Sequence, residues 1–194
     1  MDTESHVVGN TAYFIPLENY FLLGVLSSWL MWFIISRTCQ PLRLRGGRWQ
    51  YRLFTQFMGR LPIPTALPKD EQDQIAELAK LCNALGPQIN AAECELIATL
   101  RSDLLDGVDV PQALERWWEL EIDKFADVVQ ARTKKPLIHA TIRRWTDVLS
   151  DAKKKRVSLV GPLKAAESEL NDRVERAFGL TAEERRLVEE AVAS

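Results

Sequence analysis

The sequence predicts a mainly α-helical protein, in which a small α+β module at residues 1–67 precedes an all-α helical bundle or hairpin at residues 68–194. Two patterns support this fold class. Between residues 41 and 64, apolar and basic residues alternate with a period of two, as on a half-buried β-strand. From Pro68 onward, apolar residues recur at spacings of three and four, as on one face of a helix. With 46% hydrophobic and 27% charged residues, the chain has the composition of a globular protein.

The N-terminal elements are predicted to be a strand and a buried helix. Tyr13-Phe14-Ile15 favours a short strand, because aromatic and β-branched residues precede Pro16. Residues 20–36 are uncharged throughout, and we interpret them as a buried helix. A membrane span is the alternative, since the run is just long enough to cross a bilayer. Trp29 and Trp32 argue against it, because they lie in mid-segment and away from the interfacial ends.

The next segment predicts a β-hairpin around Gly46-Gly47, where leucines and then aromatic residues alternate with arginines. The apolar members are Leu42, Leu44, Trp49 and Tyr51, and the basic members are Arg43, Arg45, Arg48 and Arg52. We assign Trp49 and Tyr51 to the core, so that one face packs inward and the other presents guanidinium groups. An extended run, Leu61-Pro62-Ile63-Pro64, is predicted to close the module.

The tail is predicted to contain four longer helices and a short last one. The first ends at Gly86-Pro87, and the second begins at Asn90 with Glu93 completing its cap. The third begins at Asp109 and Pro111. Its expected inward face is Leu114, Trp117, Trp118, Ile122, Phe125 and Val129.

The fourth helix is predicted to run from about Leu137 to Phe178, with a kink or break at Gly161-Pro162. Gly179 should end it as a left-handed cap residue. Thr181 and Glu184 then form the capping box of the last helix.

The net charge of −2 hides an uneven distribution. Residues 1–18 contain three acids and no Lys or Arg, whereas residues 19–69 contain six arginines and one lysine and no acid. A basic block of this kind needs an anionic partner or an anionic surface. The alternative is a solvated face, but such faces usually mix both signs of charge.

No familiar catalytic or cofactor motif is present: the sequence has no G-x-G-x-x-G, P-loop, C-x-x-C or H-E-x-x-H. Cys39, Cys82 and Cys94 are odd in number and widely spaced, which argues against a disulfide framework and favours a reducing, cytoplasmic location. His6 and His139 are too few and too distant for a His-rich metal site. We therefore predict no catalytic residue, no metal and no cofactor in this chain.

The basic block fits duplex DNA, because guanidinium groups neutralise phosphates and also bind the O6 and N7 acceptors of guanine. The candidate DNA-binding residues are Arg37, Arg43, Arg45, Arg48, Arg52 and Arg60.

The order of several motifs resembles the C-terminal part of adenine-specific DNA methyltransferases of the type IIG restriction–modification class. The first portion is similar to the TaqI-like C-terminal specificity domain, in which a "llgiLNS" helix precedes a Gly/Arg/aromatic strand segment and "lPIP" closes the domain. The matching residues are Tyr13-Phe14-Ile15, Leu22 to Ser28, Gly46-Gly47 with Arg48 to Arg52, and Leu61-Pro62-Ile63-Pro64. Ser27 stands where the family usually has Asn.

The tail is similar to the helical end of the same enzymes. It matches at Trp118-Glu119-Leu120, Phe125, Trp145, Glu169-Leu170-Asn171, Val174, Phe178-Gly179-Leu180-Thr181 and Glu183-Glu184. The resemblance covers residues 10–64 and 117–192, and residues 65–116 fit by spacing only.

The resemblance implies a DNA target-recognition module of an adenine-N6 methyltransferase or restriction–modification enzyme. The family's cofactor-binding glycine motif, its Asn-Pro-Pro-aromatic catalytic motif and the carboxylate–lysine site of its nucleases are not in this sequence. We therefore expect a C-terminal piece of a larger or split enzyme, which alone neither methylates nor cleaves DNA. The implied partners are double-stranded DNA and a methyltransferase catalytic domain or subunit, to which S-adenosylmethionine would belong.

Two other functions fit the sequence. A membrane-anchored helical protein would use residues 20–36 as its span, with the arginines facing anionic lipid. A helical interaction subunit would dock residues 70–194 onto another protein, and its basic block would be incidental. We expect no membrane partner.

Overall fold

The computed structural model describes residues 17–45 and 48–193, and its fold is mainly helical with one small antiparallel sheet. This confirms the predicted fold class. The elements in chain order are α1 (Tyr20–Ser27), α2 (Trp29–Thr38), β1 (Gln40–Arg45), β2 (Arg48–Arg52), α3 (Thr55–Met58), α4 (Lys69–Asp103), α5 (Gln112–Glu115), a 3₁₀ turn (Trp117–Glu119), α6 (Ile122–Thr133), α7 (His139–Ala177) and α8 (Ala182–Ala193). The predicted strand at Tyr13-Phe14-Ile15 and the predicted turn at Gly46-Gly47 lie outside the described residues.

The chain divides into two compact units. Of the described residues, those up to Asn83 and those from Lys164 onward form unit 1, and Ala84–Leu163 form unit 2. Helices α4 and α7 each contribute to both units. The predicted division between residues 67 and 68 stays a prediction.

The core of unit 1 is formed by α1, α2, α8, the first part of α4 and the last part of α7. Val25, Met31, Ile75, Val174 and Val188 are among its fully or nearly fully buried side chains. In the first part of α4, Ile75 is buried in this core and Leu78 packs against it, as the spacing of three predicted.

The single helix predicted at residues 20–36 is wrong, because the chain bends by 66° between α1 and α2. Ser28 lies at the bend and is buried. Its hydroxyl donates to the Val25 carbonyl at 2.7 Å and accepts from the Met31 amide at 3.2 Å. The Ser28 hydroxyl thus pairs with a carbonyl at the end of α1 and with an amide at the start of α2, which stabilises the break between them. The break interrupts a segment that is apolar on both sides of it.

Unit 2 has a separate aromatic core. Trp117, Phe125 and Trp145 are buried in it, and the Phe125 and Trp145 rings stack at a centroid distance of 5.4 Å. The predicted third helix is divided into α5, the 3₁₀ turn and α6. Its inward face is nevertheless largely correct: Leu114 and Val129 are buried as well.

The helix end predicted at Gly86-Pro87 is also wrong, and the fourth helix is not split at Gly161-Pro162. Helix α4 continues through Gly86-Pro87, so Asn90 lies inside a helix and caps nothing, and α7 continues through Gly161-Pro162. In both cases the residue before proline is glycine, which lacks the Cβ that normally clashes with the proline ring. Each helix therefore tolerates the proline with the loss of one backbone donor.

The predicted end of α7 and start of α8 are confirmed. Gly179 has a φ of +69°, the left-handed conformation that favours glycine. The Thr181 amide donates to Glu184 Oε2 at 2.8 Å, and the Glu184 amide donates to Thr181 Oγ1 at 3.3 Å. This reciprocal pair is a capping box.

Candidate nucleic-acid interface

The register of the β1–β2 hairpin decides which side chains share a face. The paired residues are Gln40–Arg52, Pro41–Tyr51, Arg43–Gln50, Leu44–Trp49 and Arg45–Arg48, with an irregularity at Leu42. Paired residues project to the same side of a sheet, and so do alternate residues along a strand. Arg43, Arg45, Gln50 and Arg52 therefore share one face, which we call the arginine face. Arg48 takes the register position opposite Arg45.

The arginine face is exposed and positively charged. Arg43 Nε donates to Gln50 Oε1 at 2.7 Å, and the Arg52 guanidinium lies 6.0 Å from the centroid of the Phe54 ring. Among residues 17–45 and 48–193, every ion pair falls between residues 69 and 190, so Arg43, Arg45 and Arg52 have no described carboxylate partner. Their charge is thus available to an external anion.

The structure brings together only part of the predicted set. Arg37 lies near the end of α2, with its guanidinium 5.4 Å from the centroid of the Phe33 ring. Arg60 follows α3 and is exposed. Within the described part of the chain, neither side chain has a hydrogen bond, ion pair or ring contact with the arginine face. Arg37 and Arg60 therefore remain predicted contacts outside the site as built.

The opposite face of the hairpin, formed by Leu44, Trp49 and Tyr51, is the apolar face. Trp49 is 52% exposed and Leu44 is 59% exposed, so the prediction that this face packs inward is wrong for both residues. Tyr51 is half-buried against the core of unit 1 and meets Trp32 edge-on, with 5.7 Å between the ring centroids. The Tyr51 end of the hairpin is covered by α2, and the end at Leu44 and Trp49 is exposed. Leu42, at the irregularity, is also 46% exposed.

The hairpin is connected to α2 without a loop. The buried Cys39 separates α2 from β1, and its amide donates to the Ile35 carbonyl at 2.9 Å. The direct connection and the Trp32–Tyr51 contact together anchor the hairpin at its base. The arginine face is thus held on an ordered element, which limits the entropy lost when it binds a ligand.

Two segments that carry the family resemblance have structural roles in unit 1. Gly24 lets α1 approach α4 closely: a Cβ at this position would lie 2.9 Å from Ile75 Cγ2 and 3.2 Å from Ala79 Cβ. Asn171 in α7 accepts a hydrogen bond from the Trp29 amide at 2.7 Å, which satisfies a free donor in the first turn of α2. Gly24 thus packs α1 against α4, and Asn171 bonds α7 to the start of α2.

The remainder of the described chain offers little chemistry. It contains no group of three or more His, Cys, Asp or Glu side chains that could hold a metal ion. A cavity of about 220 Å³ in unit 1 is lined by residues that include Ser27, Cys82 and Glu167. Burial, followed by the Glu167 charge, raises the pKa of the Cys82 thiol. The thiol is therefore protonated at neutral pH and is not an activated nucleophile.

Gln50 was not among the predicted site residues. A signal for it is present in the sequence, because a two-residue turn at positions 46 and 47 pairs residue 45 with 48, 44 with 49 and 43 with 50. The irregularity at Leu42, which makes Gln40 and not Pro41 the partner of Arg52, has no comparable signal.

Residues 68–174 match the model of a family described as Domain of unknown function (DUF8810), and the match covers more than half of the chain. The chain belongs to this family. The DUF8810 match begins just before α4 and ends within α7, so the arginine face lies outside it. No curated protein and no solved structure matches the chain.

No single helix in residues 17–45 and 48–193 is both long and apolar enough to cross a membrane. By length and composition alone, the bent pair α1 and α2 taken together meets that criterion.

Proposed function

We propose that the chain binds double-stranded DNA through the arginine face and serves as the target-recognition part of an adenine-N6 DNA methyltransferase or restriction–modification system in the cytoplasm. A methyltransferase catalytic domain or subunit would be its protein partner and would bind the S-adenosylmethionine. The likeness of its motifs to those of the type IIG class supplies the enzyme class. The arginine face supports DNA binding alone.

The observation that carries the proposal is the arrangement of Arg43, Arg45 and Arg52. These three side chains share one exposed face and have no described carboxylate partner. A two-stranded β-ribbon fits the major groove of B-DNA, where arginine side chains contact base edges and adjacent phosphates. The neighbouring sequence favours the same ligand, because residues 19–69 contain no acid that would repel it.

The test is a titration of the full chain with fluorescein-labelled duplex DNA at several salt concentrations, followed by anisotropy. Each phosphate contact should contribute about −0.9 to the slope of log K against log salt. The triple variant Arg43→Ala, Arg45→Ala and Arg52→Ala should bind more weakly and show a shallower slope.

A matched control removes three exposed cations from the helices instead, by Arg101→Ala, Arg143→Ala and Lys164→Ala. It changes the net charge by the same amount and should leave most of the binding and the slope intact. Equal losses in the two triple variants, or a wild-type affinity that does not depend on salt, would reject the DNA-binding proposal.

The second candidate is an interaction subunit that docks another protein on the apolar side of the hairpin. It is favoured by the exposure of Trp49 on that face and of Trp32 beside Tyr51, which are 52% and 43% accessible, because tryptophan is enriched where proteins bind one another. Trp49→Ser would then weaken association with the catalytic partner, whereas the arginine triple variant would leave that association unchanged.

A further inference from the structure

We propose that Arg43 is the guanine-reading residue of the arginine face and that Gln50 positions it, whereas Arg45 and Arg52 contact phosphates. This inference rests on the proposed DNA binding and goes beyond it, because it assigns sequence discrimination to one side chain.

A hydrogen bond joins Arg43 to its cross-strand partner, Gln50. Arg43 Nε donates to Gln50 Oε1 at 2.7 Å, and the two residues are paired in register. A guanidinium group is planar, so a bond at Nε restricts both the position and the plane of the group. The bond uses one of its five N–H donors and leaves the two terminal nitrogens free.

The terminal nitrogens are the donors that a bidentate contact requires. Guanine presents two acceptors, O6 and N7, side by side in the major groove, and arginine binds both at once. An oriented guanidinium loses less side-chain entropy on forming that contact than one that rotates freely. Arg43 is therefore pre-oriented for base recognition.

The other two arginines of the face lack this restraint. In the described part of the chain, Arg45 makes no side-chain hydrogen bond or ion pair, and Arg52 has only the 6.0 Å ring contact with Phe54. Phosphate oxygens accept hydrogen bonds from many directions, so a mobile guanidinium suffices for them. The face thus has one cation oriented by a described hydrogen bond, Arg43, and two, Arg45 and Arg52, that are not.

The experiment starts with the wild-type chain and a pool of duplexes carrying a randomised central segment. Repeated selection should enrich a site that contains an invariant G·C pair. Anisotropy titrations then compare this site with an A·T replacement of that pair and with 7-deazaguanine, which lacks the N7 acceptor. Wild-type affinity should fall by about 5- to 100-fold on either change.

The variants distinguish recognition of the guanine base from electrostatic attraction to the phosphate backbone. Arg43→Ala should bind all three duplexes about equally, so that its specificity ratio approaches one. Arg45→Ala and Arg52→Ala should weaken binding to all duplexes by a similar factor and keep the wild-type ratio. Gln50→Ala should lower the ratio and leave the salt slope unchanged, as expected for a positioning residue. Circular dichroism of each variant controls for folding.

The outcomes distinguish the two levels of the proposal. If the wild type binds with a salt-dependent slope but shows no base preference, or if Arg43→Ala behaves like Arg45→Ala, the assignment of Arg43 is overturned while DNA binding stands. If the wild type shows no salt-dependent binding, the proposed function and this inference both fail.

Discussion

Gly24 allows α1 and α4 to pack closely, because it has no Cβ to contact Ile75 and Ala79. We expect Gly24→Ala to lower the free energy of unfolding, because overpacking typically costs about 1–3 kcal/mol and exceeds the gain of about 1 kcal/mol in helix propensity. Ile75 cannot easily yield, since it is 1% exposed in the core of unit 1. Urea denaturation followed by tryptophan fluorescence measures the change.

A second substitution on the facing helix is the control for Gly24. Ile75→Ala removes the Cγ2 atom that the new Cβ would contact at 2.9 Å. Gly24→Ala should therefore cost less in the Ile75→Ala background than in the wild type. Equal costs in the two backgrounds would show that close packing against Ile75 is not the reason for the glycine.

Glu175 gives unit 1 a dependence on pH. Burial raises the pKa of this carboxyl, and the negative charges of Glu189 and Asp172 act in the same direction. Arg185, whose Nε lies 3.7 Å from Glu175 Oε2, lowers the pKa but does not cancel the effect of burial. The folded state therefore holds the proton more tightly than the unfolded state, whose pKa is near 4.5. Protonated Glu175 therefore stabilises the folded state at pH values below its unfolded pKa. This stabilisation is lost as the pH rises through the higher pKa of the folded state.

The corresponding variant is Glu175→Gln, which keeps the shape and removes the titration. The free energy of unfolding of the variant, minus that of the wild type, should increase between pH 4.5 and pH 7. Urea melts of both proteins across this range provide the measurement. A difference that stays constant over the range would contradict the effect assigned to burial.

At the scale of elements, the break between α1 and α2 depends on Ser28. Ser28→Ala removes the cap of α2 and the donor to the Val25 carbonyl, in a position that is 1% exposed. We expect a loss of about 1–2 kcal/mol in the free energy of unfolding, measured by thermal or urea denaturation.

The adjacent Ser27 is the matched control, because it is exposed and lies at the end of α1. Ser27→Ala should change stability by less than about 0.5 kcal/mol. If the two variants were equally stable, the bend would have to be set by packing and not by the Ser28 hydroxyl.

The sequence predicted those element boundaries that one local interaction determines. Gly179 and the Thr181–Glu184 capping box are of this kind, and both were confirmed. The break at Ser28 was missed because the same residue type also occurs inside helices, and only burial and two hydrogen-bond partners give it a capping role. The continuity of α4 through Gly86-Pro87 was missed because a glycine before proline removes the clash that normally ends a helix. The long α7 was predicted with nearly its observed bounds, but with a kink or break at Gly161-Pro162, which it passes undivided.

The candidate site was predictable in part for a similar reason. Alternation around Gly46-Gly47 was enough to place Arg43 and Arg45 on one face of a hairpin. It was not enough to decide whether the other face is covered, because burial of Trp49 depends on which helix reaches it. Tyr51 meets Trp32 and is half-buried, whereas Trp49 is 52% exposed.

At the scale of the whole molecule, the two units have separate cores. A cavity created in one core should therefore destabilise mainly the unit that contains it. Leu105→Ala in unit 2 and Leu30→Ala in unit 1 each delete a buried side chain, with an expected cost of about 2–5 kcal/mol. Hydrogen exchange read by mass spectrometry should show faster exchange mainly in the unit that carries the substitution.

The two variants serve as controls for each other, since both convert a buried leucine to alanine. Exchange that increases uniformly over the chain in both variants would mean that the units unfold as one cooperative body.

The exposed guanidinium groups of Arg43, Arg45 and Arg52 also affect how the protein behaves during purification. Its isoelectric point is near 5.8, so its overall charge alone suggests that a cation exchanger will not retain it at neutral pH. An ion-exchange resin interacts with the local charge of a protein surface and not with the net charge of the whole chain. The arginine face presents three cations on one side of the hairpin. The protein should therefore bind to a sulfonate or heparin column and elute with added sodium chloride.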